Sequence, residues 1–346
     1  MKGTFLIISL LFATVLNAQL GGSHTYAFLE LTNSARVAAL GGNFLSVNDN
    51  DLTLAYANPA LINKKMSTKL AMNYLNYFGD INAGFVSYGQ HFDKAGTFVA
   101  SLQFINYGLF EKTDNLGNNQ GRFFAGESAF VIGWSKALSQ RLSLGVNLKN
   151  IFSSLESYSS YGLAADVAAN YHSSSGRFSS SLIFANMGRQ ISTYSSSGAE
   201  PLPFNIKLGV SHRFEHAPLR LFFLADNLQK WDLTYSDPNK PVETDPFTGE
   251  VINDDKGWDF GDKLMRHIAL GAEFAPGKGN FALRLGYNYR RRQEMKIASR
   301  KAMVGFSWGF GFKVYKFHFS YARATYSLAG ATNHISITTR IADFLK

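Results

Sequence analysis

No cysteine occurs in the 346 residues, which excludes disulfide scaffolds, thiolate metal ligands, thiol catalysis and a lipid-anchored cysteine. Charge is also scarce. Asp, Glu, Lys and Arg make 17% of the chain, against about a quarter in ordinary globular proteins. Beyond Gln19 no apolar run reaches about 18 residues, so no helix is expected to span a membrane. Catalytic signatures are missing too. Gly126-Glu127-Ser128-Ala129 starts like a nucleophile elbow, but Phe130 stands where glycine is required. Gly277-Lys278-Gly279 is a turn without phosphate-loop spacing. The 8 histidines are scattered, with no paired ligand spacing, and His267 and His318 are expected to face the interior. No catalytic residue, cofactor or metal site is therefore expected.

Aromatics are plentiful: Phe 30, Tyr 16 and Trp 4 make 14% of the chain. A hydrophobic share of 46% excludes general disorder. Few charges with many aromatics imply that apolar and polar residues alternate finely. The net charge of +9 would suggest nucleic acid only if the chain stayed in the cytoplasm, and the N-terminus argues otherwise. Lys2 precedes an apolar run from Phe5 to Leu16, and Asn17-Ala18 offers a small-residue cleavage point. Residues 1–18 thus read as an export signal; the alternative is a buried first helix.

The remainder repeats with period two, the mark of strands with two unlike faces. In 281–289, Phe281, Leu283, Leu285, Tyr287 and Tyr289 oppose Ala282, Arg284, Gly286 and Asn288. In 142–149, Leu142, Leu144, Val146 and Leu148 oppose Ser143, Gly145, Asn147 and Lys149. The segment 302–311 places Val304, Phe306, Trp308 and Phe310 on one face. About fourteen such segments start near residues 67, 80, 96, 123, 141, 160, 177, 203, 218, 263, 280, 300, 313 and 332. Each is about 10–13 residues long, as a tilted membrane-spanning strand requires, and the count is even.

Connection lengths give a second signal. After even strands they are tight, as at 136–141 and 172–177. After odd strands they are mostly longer: 107–122, 152–159, 187–202, 227–262 and 290–299, with 76–79 the exception. Short turns on one rim and long loops on the other predict an all-β, antiparallel, fourteen-stranded transmembrane barrel over 67–346, with loop 227–262 outside the cell. The alternative is a soluble sandwich hiding its aromatic stripes between two sheets.

Residues 19–66 do not alternate. Asn33 or Ser34 can cap a short helix through Ala35, Val37 and Leu40, ended by Gly41-Gly42 at positive φ. Asn58 as cap and Pro59 at the first helical position, followed by Ala60, start a further turn. This segment is expected to fold into the lumen as a hatch; the alternative is a mobile periplasmic tail.

The stretch SARVAALGGNFLSVNDNDLTLAYANPALI, Ser34 to Ile62, resembles the N-terminal hatch of FadL-type outer-membrane barrels. Within that group, QLGGSHTYAFLELTNSARVAALGG, from Gln19, is most similar to the PorQ-type barrels of the type IX secretion system of Bacteroidota. The resemblance covers the whole chain in length and layout. It implies a fourteen-stranded barrel that is not an enzyme. It also implies a part in the attachment complex, which trims secreted cargo and joins it to anionic lipopolysaccharide. The implied partners are the surface protein PorZ, held at the cell surface, with PorU and PorV. The rival class is a FadL-like channel for hydrophobic small molecules.

Two charge clusters remain. Loop 227–262 holds nine acids against three lysines, near −6, yet also contains Trp231, Tyr235, Phe247 and Trp258. Aromatics in a polar loop anchor interfaces, so these four are candidate partner contacts. A merely solvated loop, or Ca²⁺ held by Asp254 and Asp255, are the alternatives. Arg290, Arg291 and Arg292, with Lys296, Arg300 and Lys301, form the second cluster. Guanidinium forks bind phosphate bidentately, so these arginines are candidates for lipopolysaccharide, or else simply mark the membrane boundary.

Overall fold

The structure, a computed structural model, describes residues 24–195, 198–234, 260–277, 280–295, 303–327 and 330–345. The export signal at 1–18 lies outside these residues, as do Tyr235, Phe247, Asp254, Asp255, Trp258, Lys278, Lys296, Arg300 and Lys301.

Fourteen antiparallel strands close into one barrel, each paired with its sequence neighbours and the first with the last. The first seven are β1 (Lys69–Asn76), β2 (Asn82–Phe92), β3 (Gly96–Thr113), β4 (Asn119–Ala137), β5 (Leu142–Leu155), β6 (Tyr158–His172) and β7 (Phe178–Ser192). The others are β8 (Asn205–Arg213), β9 (Leu219–Ala225), β10 (Ile268–Phe274), β11 (Phe281–Asn288), β12 (Phe306–Val314), β13 (Phe317–Ser327) and β14 (Gly330–Arg340).

The alternation sets which side chain faces which way. Along β11, Phe281, Leu283 and Leu285 are 43%, 47% and 64% exposed while Ala282, Arg284 and Gly286 are buried. The same holds around the wall, where Tyr74, Phe104, Phe130, Leu148, Phe223 and Trp308 point outward. The inward set mixes polar residues, such as Ser87, Gln103, Asn147, Asp166, Asn205 and Ser307, with apolar ones, such as Phe85, Ile151, Ile183 and Phe222, that pack with residues of the segment before β1. A soluble sandwich would bury its aromatics between sheets. Here a closed sheet turns them outward as a continuous apolar band, the arrangement lipid requires.

Several boundaries depart from the sequence expectation. The segment 107–122 is not a loop: β3 and β4 continue as a hairpin past a bulge at Asn106/Leu109, where Gly108 has φ +97°. It turns at Asp114, whose carboxylate accepts from the Leu116 and Asn118 amides at 2.9 and 2.8 Å. The segment 152–159 is a tight turn with Glu156 at φ +59°. The strand expected from 263 begins only at Ile268, because Phe260–Arg266 is a helix (α2) fastened by Asp262 and Arg266 at 2.6 Å. The strand expected from 300 begins at Phe306, since Gly305 takes φ +86° and Val304 is buried outside the strand. The loop expected at 290–299 starts as a helix, Tyr289–Met295 (α3). The rim after odd strands therefore carries three long connections, 193–204, 226–267 and 289–305, among tight ones. Every connection after an even strand is short.

Residues 24–66 lie against the inward side of this wall. Ser34 caps the helix Ala35–Ala39 (α1), accepting from the Arg36 amide at 3.2 Å. Of the two glycines only Gly41 takes positive φ, at +80°, and a Cβ there would meet the Tyr287 amide nitrogen at 2.9 Å. Pro59 opens a 3-10 turn, but the Asn58 side chain does not cap it. It donates instead to the Leu45 carbonyl at 3.0 Å and to Ser181 on β7 at 2.9 Å. The amide is oriented by these two Nδ2 bonds, and Oδ1, the atom that would cap the turn, accepts no hydrogen bond.

Candidate functional site

Two places concentrate chemistry: the junction between segment 24–66 and the wall, and the rim bearing the long connections. At the junction, polar inward side chains hold the segment's backbone. Ser143 Oγ donates to the Ala60 carbonyl at 2.7 Å, and Asn147 Nδ2 to that of Tyr56 at 2.8 Å. Gln103 Nε2 donates to Phe28 at 2.6 Å and Ser307 Oγ to Ala39 at 3.1 Å. The Ala35 amide donates to Ser336 Oγ at 2.9 Å. These partners sit on β3, β5, β12 and β14, so the segment is fastened around the barrel. Glycine in the wall admits it closely: a Cβ on Gly145 would lie 2.3 Å from the Pro59 carbonyl carbon.

An ionic cluster completes the junction. Glu273 on β10 accepts from Arg36 through both oxygens at 2.9 Å and from Arg284 Nε at 2.8 Å. Arg36 Nη1 also meets Asp49 at 2.7 Å and Asp51 at 3.1 Å. Nothing in the sequence pattern singled out this pairing, since its members are 237 residues apart. The one signal was an arginine on an otherwise apolar helix facing an acid on an inward strand position.

At the other rim, Trp231 is half-exposed and packs on Phe260 of α2, with ring centroids 5.2 Å apart, and on His267 at 5.9 Å. Asp232 pairs with Lys263 at 2.7 Å. The hydrogen bonds from Lys263 and from Thr234 hold the Asp232 carboxyl well below the usual carboxylate range. Leu233 beside them is fully buried. Trp231 and Phe260 thus form an aromatic pair that is held from below and open from above. Sequence reasoning named Trp231 and missed Phe260.

Arg290, Arg291 and Arg292 lie on α3 at this same rim, half-buried. Arg290 Nε is 3.8 Å from Glu294, and Arg292 Nη1 donates to the Val304 carbonyl at 3.3 Å. Tyr289 ties α3 to α2, donating to Asp262 at 2.8 Å. These arginines are thus partly engaged within the protein. His267 sits at the outer rim and His318 near the short-turn rim. Among the described residues no group of three His, Asp or Glu side chains could hold a metal ion.

No family model and no curated protein matches the chain. Among solved structures it is similar to the Pseudomonas putida toluene transporter TodX, at 10% identity and a TM-score of 0.52, covering 90% of this chain and 99% of that one. A second structure of that transporter gives 12% identity and a TM-score of 0.50 over 89% and 97% of the two chains. A Pseudomonas aeruginosa FadL homologue gives 13% identity and a TM-score of 0.45 over 89% and 98%. Such identities speak to the fold alone. The class of protein defined by the closed barrel and its apolar band is an integral β-barrel of a bacterial outer membrane. Its particular architecture is FadL-like: fourteen antiparallel strands in one closed sheet.

Proposed function

We propose that this chain is a non-enzymatic outer-membrane barrel, closed by an N-terminal hatch over 19–66, that serves as a docking platform at the cell surface. The sequence resemblance of Gln19 to Ile62 supports a place among the PorQ-type barrels of type IX secretion in Bacteroidota. A PorZ-like surface protein, with PorU and PorV, would be the partner. The single observation that carries a platform over a pore is the junction described above. Lumen-facing polar side chains on several strands hold segment 24–66. The open aromatic surface, Trp231 on Phe260, lies instead at the rim of long connections. Arg290 to Arg292 on the neighbouring helix would face lipopolysaccharide phosphates.

The second reading is a channel for hydrophobic small molecules. The likeness to structures titled toluene transporters favours it, and bears on this reading rather than the first. So does an open groove at the wall between β3, β4 and β5, lined by Ile105, Phe124 and Phe152 with Glu127, Ser128 and Ser153.

The test replaces Trp231 and Trp258 together by alanine. Buried interface tryptophans commonly contribute about 2 kcal/mol or more. Under the docking reading the barrel still inserts, and the surface partner appears in the medium. Normal insertion with the partner retained on the cells would remove this loop from the docking role.

A further inference from the structure

We infer that the short-turn end of the barrel carries a binding site for an oxyanion, a carboxylate or a phosphate group, entering from the periplasmic side. The site is a cavity of about 540 Å³ between segment 24–66 and the wall, with Arg213, Arg220, Arg284 and His318 in its lining. It lies where β8 ends, β9, β11 and β13 begin and β14 ends, away from the outer rim and its aromatic pair, and it shares Arg36 and Glu273 with the junction.

The acids of this cavity are already occupied. Glu273 takes both forks of Arg36 and the Nε of Arg284. Asp49 and Asp51 share Arg36 Nη1. Their remaining oxygens are engaged too: Asp51 Oδ1 accepts from the Thr53 amide at 3.1 Å and its hydroxyl at 2.7 Å, and Asp49 Oδ1 accepts from the Asp51 amide at 3.1 Å. The donors are not equally spent. Arg284 is only 9% exposed, yet its Nη1 has no hydrogen-bond acceptor. Among the described residues, Arg220 reaches acids only through Nη1, at 3.4 and 3.7 Å. Arg213, exposed at the end of β8, forms no ion pair among the described residues. Arg213, Arg220 and Arg284 therefore line one space, while three carboxylates balance only Arg36, Arg220 and Arg284, which leaves the charge of Arg213 in surplus. A buried donor without an acceptor costs about 1–3 kcal/mol, and an oxyanion bound bidentately by guanidinium forks relieves that cost.

The experiment uses the full mature chain in detergent and titrates sodium phosphate or sodium acetate against a sodium chloride control of equal ionic strength. Binding is read by calorimetry and by the temperature at which the barrel loses its folded electrophoretic mobility. The inference expects saturable heat and a saturable rise in that temperature with phosphate, with acetate, or with both, and none with chloride. The arm that responds identifies the group. Arg213→Gln, at an exposed position outside the ionic cluster, should weaken binding about tenfold, the scale of one lost charged hydrogen bond. Arg220→Gln should do the same while Arg36 and Arg284 still neutralise Glu273. No saturable response to either anion overturns the site, and so does binding that both variants leave unchanged. Either result is independent of whether the surface partner is retained.

Discussion

Arg36 is the side chain on which the junction turns. It is 7% exposed, sits on the five-residue helix α1 and meets three carboxylates, from Asp49, Asp51 and Glu273. Removing one partner of a buried ionic cluster leaves the opposite charges desolvated, which typically costs about 3–5 kcal/mol. Arg36→Ala is therefore expected to lower the urea midpoint of the folded barrel and to expose segment 24–66 to protease first. A variant with an unchanged midpoint and unchanged protection would mean that the cluster contributes nothing to seating the segment. The sequence pattern did not single out Arg36, because its partner on β10 becomes visible only once the barrel has closed.

Among the elements, strands were far more legible than their ends. Period-two alternation is a property of each strand by itself, so β5, β6 and β11 fall almost where the pattern places them. The misread boundaries lie where local chemistry overrides alternation. Gly108 at positive φ bulges β3 without ending it, Gly305 delays β12, and the Asp262–Arg266 pair turns an expected strand start into α2. The candidate docking pair shows the same limit. Trp231 stood out as an aromatic in an acidic loop, whereas Phe260 gains meaning only by packing against it. For α1 the deciding residue is Gly41. A side chain there must adopt positive φ and also displace the Tyr287 backbone. Gly41→Val is expected to cost about 1 kcal/mol or more and to reduce the amount of heat-modifiable, folded barrel in the membrane. Equal abundance and equal mobility would show that the end of α1 is not seated against β11.

Taken whole, the molecule is filled inside by polar and apolar contacts with its own N-terminal segment, apolar around its girth and unequal at its two rims. Short turns join the strands on the rim where β1 starts and β14 ends; the three long connections share the other. In outer-membrane barrels the short-turn rim faces the periplasm. A protease-cleavable tag at Asn239 should therefore be cut on intact cells, and one at Ser174, in the turn between β6 and β7, should not. Equal protection of both would contradict this orientation. On the proposed function, the lumen is closed by its own N-terminal segment and the barrel works at its outer rim. Uptake of a radiolabelled monoaromatic hydrocarbon into cells that carry the barrel, compared with cells that lack it, tests this most directly. Equal uptake in the two is expected, whatever the label concentration. Saturable uptake that requires the barrel, and that is lost when Ile105 and Phe152 at the wall groove are changed to charged residues, would contradict it.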